Sequence, residues 1–343
     1  MKGGAVVAAT AVAAPFVITG AHAQAEQRVV FACNGGSTQT LYESKIIPSF
    51  TKQTGIKVTY VSGQPADHIA KMRAAGGGTG IDTIWLGGAI TYLAIDEGFL
   101  TAFDQSLVPN AAHLNPKFKG EPELFYIASS GNCLIYNKKV FDAKGWGPPS
   151  DWLDLWDPRF AGHTGMYGME STGGLEMLMS VARQLSGDYR KMDAAFAKFK
   201  ELSKTIYQFF PTAGAWETAF QQGEVWLGVN SYTRAIQLTQ AGMPIGVAFP
   251  KTGFPSHELP VGLVKGAANA KNAHAWANHL LSEEAQAIIA TDLGYSPTVT
   301  GVKIPDNMKA LYPDPDLIWP VDWRELSKEF DAIVKRWQRE VER

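Results

Sequence analysis

Residues 28–60 read RVVFACNGGSTQTLYESKIIPSFTKQTGIKVTY. Arg28 to Ala32 is rich in β-branched and aromatic residues and is read as a strand. Asn34-Gly35-Gly36-Ser37-Thr38 is a turn, made of small residues that tolerate tight backbone. Tyr42, Ile46 and Phe50 then recur at i, i+4 and i+8, which puts one apolar stripe on a helix. Gly55 stands where a C-cap is needed, because glycine takes the left-handed conformation without steric cost. Ile56, Val58 and Tyr60 alternate with Lys57 and Thr59, the period of a strand with one face turned inward. Strand, helix and strand in that order ask for parallel pairing with the helix crossing over one face.

The same alternation continues outward. A helix near Asp67 to Ala75 leads through a glycine run to a short apolar strand, Ile81 to Leu86, and a helix near Ile90 to Glu97 ends at Gly98. This is the element order of an α/β sheet. Leu124 to Ala128 and Cys133 to Tyr136 are two more strands. The small polar break between them, Ser129-Ser130-Gly131-Asn132, is read as a passage from one lobe to another. A Trp- and Pro-rich segment, Trp146 to Phe160, precedes helices near Gly174 to Leu185 and Met192 to Lys204. Strand Val225 to Asn230, helix Thr233 to Ala241 and strand Ile245 to Pro250 follow, and Leu259 to Val264 is read as returning to the first lobe. Two helices come next, Ala273 to Leu281 and one starting after Ser282. Ser282 has the chemistry of an N-cap, with Glu283 and Glu284 where the helix dipole favours carboxylates. The last helix, Trp323 to Glu342, has Leu326, Phe330, Ile333 and Trp337 at helical spacing.

The chain of 343 residues is 45% hydrophobic and 19% charged, with a formal net charge of -2. That is a globular composition with material for two domains, and it gives no general attraction to nucleic acid or anionic membrane. At the N-terminus, Lys2 precedes an uncharged stretch from Gly3 to Ala21, then Ala21-His22-Ala23, a small-x-small cleavage pattern. The apolar core of the stretch spans only about 14 residues, roughly 21 Å as helix against roughly 30 Å of hydrocarbon, so a cleaved signal is expected over 1–23 rather than an anchor. Export by the Sec or the twin-arginine route, a soluble mature chain and a periplasmic location are the corresponding expectations. Cys33 and Cys133 allow either one bridge or two free thiols.

Four stretches carry a resemblance. They are Ile46 to Val58, Gly80 to Trp85 with Glu97-Gly98-Phe99-Leu100, Asn132 to Lys138 with Asp151 to Leu155, and Leu280 to Gln286 with Gly294-Tyr295-Ser296-Pro297. In that order they resemble the type II periplasmic solute-binding proteins of ABC importers, in the branch of spermidine/putrescine and ferric-iron receptors. The resemblance implies an α/β fold of two lobes, each a mainly parallel sheet flanked by helices, joined by two crossing strands. It places lobe one at 24–128 with 256–303 and lobe two at 129–255 with 304–343. It also implies hinge closure on a small-molecule solute, delivery to an ABC permease, and a monomer.

No Gly-x-Ser-x-Gly elbow, no His-Glu-x-x-His helix and no phosphate loop is present, so no catalytic residue, metal or cofactor is expected. His274 and His279 are five apart, which does not put both rings on one helix face, and a solvated face is expected for them. Binding instead calls for polar loops at strand ends and helix N-termini, where free N–H groups point outward. In lobe one these are Asn34, Ser37 and Thr38, with Trp85 as a wall. In lobe two they are Glu170, Ser171 and Thr172, then Trp216, then Asn230, Tyr232 and Arg234.

Polyamine receptors carry acidic and aromatic residues where this chain has Asn34-Gly35-Gly36 and Asn230-Ser231-Tyr232, so an elongated polycation would lack charge partners. Ferric receptors carry adjacent tyrosines where Thr233 follows Tyr232. Glu170 with Arg234 suits an amine- or amino-acid-like solute with an anion at its other end, such as γ-aminobutyrate or an aminoalkylphosphonate. A ferric carrier of the same fold and a chemosensory receptor stand as alternatives.

Overall fold

The computed structural model describes residues 27–77, 79–169 and 171–342; the leader read over 1–23 and Glu170 lie outside the described residues. Strand β1 (Arg28–Cys33) leads into one helical run of α1 (Ser37–Leu41), a π turn (Tyr42–Ile46) and α2 (Ile47–Thr54). Tyr42, Ile46 and Phe50 are all buried, as their spacing requires, and Gly55 closes the run with φ 73°. β2 (Lys57–Ser62), α3 (Pro65–Ala74), β3 (Thr83–Trp85) and α4 (Ala89–Asp96) complete the first unit. β4 (Leu124–Ser130) runs almost without a break into β5 (Asn132–Asn137). Then follow α5 (Lys138–Lys144), β6 (Thr164–Tyr167), α6 (Thr172–Ser186), α7 (Asp193–Leu202), β7 (Gln208–Phe210), α8 (Ala213–Gln221), β8 (Leu227–Ser231), α9 (Tyr232–Gln240) and β9 (Ile245–Ala248). β10 (Phe254–Pro255), β11 (His257–Leu263), α10 (Ala270–Leu280), α11 (Glu283–Leu293), α12 (Asp306–Lys309), β12 (Ile318–Trp319) and α13 (Trp323–Glu340) end the chain.

Two five-stranded sheets result, ordered β2-β1-β3-β11-β4 and β7-β6-β8-β5-β9. In the first, β1 pairs in parallel with β2 and β3, while β11 is antiparallel to β3 and β4. In the second, β6 pairs in parallel with β7 and β8, while β5 is antiparallel to β8 and β9. Each sheet is therefore mixed rather than mainly parallel. The reversed pairings belong to the strands near the lobe boundary. They arrive from the other lobe and run against the strands that feed helices.

Each lobe has its own core. In the first, Phe31 and Phe50 pack on Trp276 with ring centroids 5.4 and 5.0 Å away. The second gathers Trp152, Phe160, Trp216 and Trp337, and receives α13 through Leu326, Ile333 and Trp337. Cys33 belongs to the first cluster and Cys133 to the second, both as free buried thiols. The chain passes between the lobes at Gly131, where an added Cβ would come within 2.3 Å of the Phe254 ring. No helix among the described residues is long and apolar enough to cross a membrane.

The histidines of α10 depart from expectation. His274 and His279 are 7% and 5% exposed, not solvated. Nε2 of His274 accepts the Asp104 N–H at 2.9 Å, so Nδ1 carries the proton and donates to the Ala270 carbonyl at 2.7 Å. His279 lies against Phe50 and Trp276. His274 is thus satisfied in the interior by a remote loop, while His279 packs among rings with its Nε2 buried and unpaired.

Candidate functional site

A cleft of about 410 Å³ lies where the two lobes meet. The first sheet and its loops contribute Asn34 after β1, His257 and Leu259 on β11, and Tyr295 after α11, and Ser130 comes from the passage between the lobes at the end of β4. The second lobe contributes Asn132, Tyr167, Ser171, Thr172, Gly173, Glu176, Pro211, Thr212, Ser231 and Thr233. The lining is mostly hydroxyl and amide groups, the chemistry of a polar guest held by many hydrogen bonds.

Three helices point their N-termini at this space. Ser171 caps α6 by accepting Gly173 N–H at 3.0 Å, Thr212 caps α8 by accepting Ala215 N–H at 3.2 Å, and Ser231 caps α9 by accepting Arg234 N–H at 3.2 Å. Each cap hydroxyl lines the cleft. A helix N-terminus carries about half a positive charge and unpaired N–H groups, so their convergence favours negative charge in the guest.

The cleft also holds an ionisable pair, His257 with Glu176. His257 Nδ1 is 2.9 Å from Glu176 Oε1, joining β11 to α6. The Glu176 side chain is only 4% exposed. Burial by itself lowers the proton affinity of His257, but the hydrogen bond and charge of Glu176, with the charge of Glu258, outweigh it and raise the ring above its ordinary value. Nearby, burial pushes the Tyr295 phenol up to about 12 and the Tyr167 phenol higher still.

Of the residues singled out in the sequence, Asn34, Ser171 and Thr172 line the cleft. Ser37 is exposed and Thr38 buried at the start of α1, and neither reaches it. Trp85 is 3% exposed and sits behind Tyr295, ring centroids 6.2 Å apart, so it backs the wall rather than forming it. Trp216 is fully buried in the lobe-two core, where its Nε1 donates to the Gly165 carbonyl at 3.2 Å. It is the fourth residue of α8, and its ring folds onto the sheet. Asn230 is buried, accepting from Tyr167 Oη and from Ser231 N–H. Arg234 spends its guanidinium on Glu217 and Gln237, with Nη2 2.6 Å from Glu217 Oε2 and Nη1 2.7 Å from Gln237 Oε1. It is not an open clamp.

Tyr232 has a different role from the one expected. Fully buried, it donates to the Ser129 carbonyl at 2.8 Å and lies 2.9 Å from Ser296 Oγ, pinning α9 to β4 and to the segment after α11. Tyr232→Phe is expected to lower the unfolding free energy by about 1 kcal/mol, the net worth of one ordinary hydrogen bond, since the Ser129 carbonyl keeps the Ser296 N–H at 2.8 Å. Urea denaturation of the variant measures it.

Loops singled out in the sequence meet at the cleft, and Tyr167, Glu176, Thr212, Ser231 and His257, which were not singled out as site residues, line it with them. Thr212 and Ser231 had a readable signal, since each is a capping residue directly before a helix. Glu176 and His257, 81 positions apart, had none.

A family described as bacterial extracellular solute-binding protein matches residues 45–314. The spermidine/putrescine-binding periplasmic protein of Escherichia coli (strain K12) is 27% identical over 86% of this chain and 87% of its own length. A periplasmic protein of Salmonella typhimurium (strain LT2) named for 2-aminoethylphosphonate binding is 23% identical over 86% of each. A crystal structure titled as an extracellular solute-binding protein from Bordetella parapertussis superposes with TM-score 0.83 at 22% identity, covering 92% of this chain and 99% of that one.

Proposed function

The chain belongs to the bacterial extracellular solute-binding proteins, a family that binds solutes for ABC transporters rather than transforming them; from that premise we propose that its interlobe cleft captures a small polar organic solute bearing an anionic group. The observation that carries this reading is the convergence of the α6, α8 and α9 N-termini, with cap hydroxyls Ser171, Thr212 and Ser231, on one space between the lobes. A carboxylate, phosphonate or phosphate would accept from these groups, and an amine at the other end would meet the carbonyls and hydroxyls of the lobe boundary. The relative named for 2-aminoethylphosphonate agrees with such a guest.

A long polycation fits less well. Among the described residues lining the cleft, Glu176 is the sole carboxylate, and His257 already engages it. A desolvated ammonium without a partner is costly. Ferric ion fits less well for another reason. The Tyr167 hydroxyl is engaged by Asn230 and that of Tyr232 by Ser129, and burial holds both phenols in the protonated form.

The two lobes proposed here are 24–128 with 256–303 and 129–255 with 304–343. The division of buried residues into two clusters supports it. The lobes close about the passage at Gly131, and the guest shifts the population toward the closed form by its preference for it. The protein would act in the periplasm as a monomer and hand its solute to a membrane permease.

A thermal-shift screen of the chain from residue 24 tests the reading, with γ-aminobutyrate, 2-aminoethylphosphonate, inorganic phosphate, putrescine and ferric citrate. A true guest at a hundred times its Kd stabilises by about 2.7 kcal/mol and raises the melting temperature by several degrees. An anionic compound is expected to do so. A shift with putrescine alone, or a visible phenolate band with ferric citrate, would refute it.

A further inference from the structure

The helix N-termini do not account for the His257–Glu176 pair in the cleft. Glu176 is a buried carboxylate, and such a group needs a donor. His257 supplies it through Nδ1 at 2.9 Å. The imidazole keeps 24% of its side chain exposed and lines the cleft. With Nδ1 committed, Nε2 is the ring nitrogen left for a guest. The backbone fixes this geometry from both sides. His257 pairs with Ser130 across the β11–β4 ladder, and Glu176 sits in the second turn of α6.

We propose that His257, as an imidazolium, is the charged donor that selects an anionic guest, and that Glu176 is its positioning residue. The proposal rests on the reading of the cleft as a site for anion-bearing solutes. The charged groups acting on the ring are Glu176 from α6 and Glu258 from its own strand. From α13 the Trp323 ring stands 6.4 Å away, edge to face, and from β4 the facing residue is Ser130. Both carboxylates favour the protonated ring and together outweigh its burial. A raised proton affinity in the folded protein means the cation persists above the ordinary value of 6.5. Anion affinity is then full below the raised value and is lost as pH rises through it.

Titration calorimetry on the chain from residue 24, from about pH 5.5 to about pH 9, tests this with γ-aminobutyrate, inorganic phosphate and putrescine as probes. His257→Gln is expected to weaken binding of the anionic probe by about tenfold to a hundredfold at the acid end, with the gap closing at the alkaline end. The difference between the two profiles cancels the probe's own ionisation. Glu176→Gln keeps an acceptor under Nδ1 but removes the charge, and is expected to move the break in the profile to lower pH. The His257 ring proton signal, assigned by its loss in His257→Gln, gives a readout that needs no ligand. Its midpoint is expected above 6.5 in the native chain and lower in Glu176→Gln.

Parallel affinity profiles for the native chain and His257→Gln would overturn the proposal while leaving the cleft's reading intact. A ring midpoint at or below 6.5 would do the same. Binding of putrescine with no binding of either anion would defeat the reading of the cleft, and this proposal with it.

Discussion

Replacing Trp216 by alanine is expected to destabilise the protein by about 3–5 kcal/mol, the range for removing a fully buried aromatic side chain. The site explains the size of the effect. Gly165 on β6 and Gly228 on β8 are paired neighbours in the sheet. The missing side chain at Gly228 leaves the room in which the indole lies. An added Cβ at Gly228 would come within 2.8 Å of Trp216 Nε1. The ring also stacks on Phe220 at 4.9 Å and donates to the Gly165 carbonyl. Truncation leaves a cavity beside Gly228 that a glycine cannot fill and removes the indole's bond to the Gly165 carbonyl. The folded fraction of the variant is expected to bind solute with near-native affinity, because the ring does not line the cleft. Urea unfolding with a binding titration separates the two effects. A large loss of affinity with little loss of stability would return Trp216 to the cleft wall that its place in the sequence suggested.

A second large effect is expected in the other lobe. Asp82 is fully buried, and its carboxylate accepts the Val30 N–H at 2.8 Å, the Asn269 N–H at 3.0 Å and the Asn269 side-chain amide at 3.0 Å. It thus ties β1 and the lead-in to β3 to the start of α10. Asp82→Ala leaves these donors without an acceptor in the interior, and hydrogen bonds to charged groups are the strong ones, so a loss of about 3–5 kcal/mol is expected. Asp82→Asn keeps one acceptor and is expected to cost less. Equal losses for the two variants would mean that the carboxylate's charge, not the filled volume or the remaining acceptor, sets the cost. The chemical midpoint of unfolding for each variant measures it.

These two residues show where local pattern stops. Trp216 stood in a loop beside a polar cleft, and an exposed aromatic wall was a fair expectation from its neighbours. Its direction is set by the phase of α8 against the sheet, and the helix period alone does not state which side the sheet is on. Arg234 makes the same point. Its charge suggested a clamp, but α8 brings Glu217 within reach first.

The sequence by itself determined the order of strands and helices, the apolar stripe of Tyr42, Ile46 and Phe50, and the caps at Gly55 and Ser282. It also marked the polar break at Gly131 and the loops that meet at the cleft. All of these depend on residues within a few positions of one another, where spacing and backbone chemistry decide. Only the tertiary structure decided the reversed pairings in each sheet, the burial of His274 and His279, the use of Tyr232 as a pin between lobes, and the meeting of Glu176 with His257. Those depend on where the crossing strands carry distant segments. Tertiary contact, not sequence neighbourhood, sets the partner of a buried polar group.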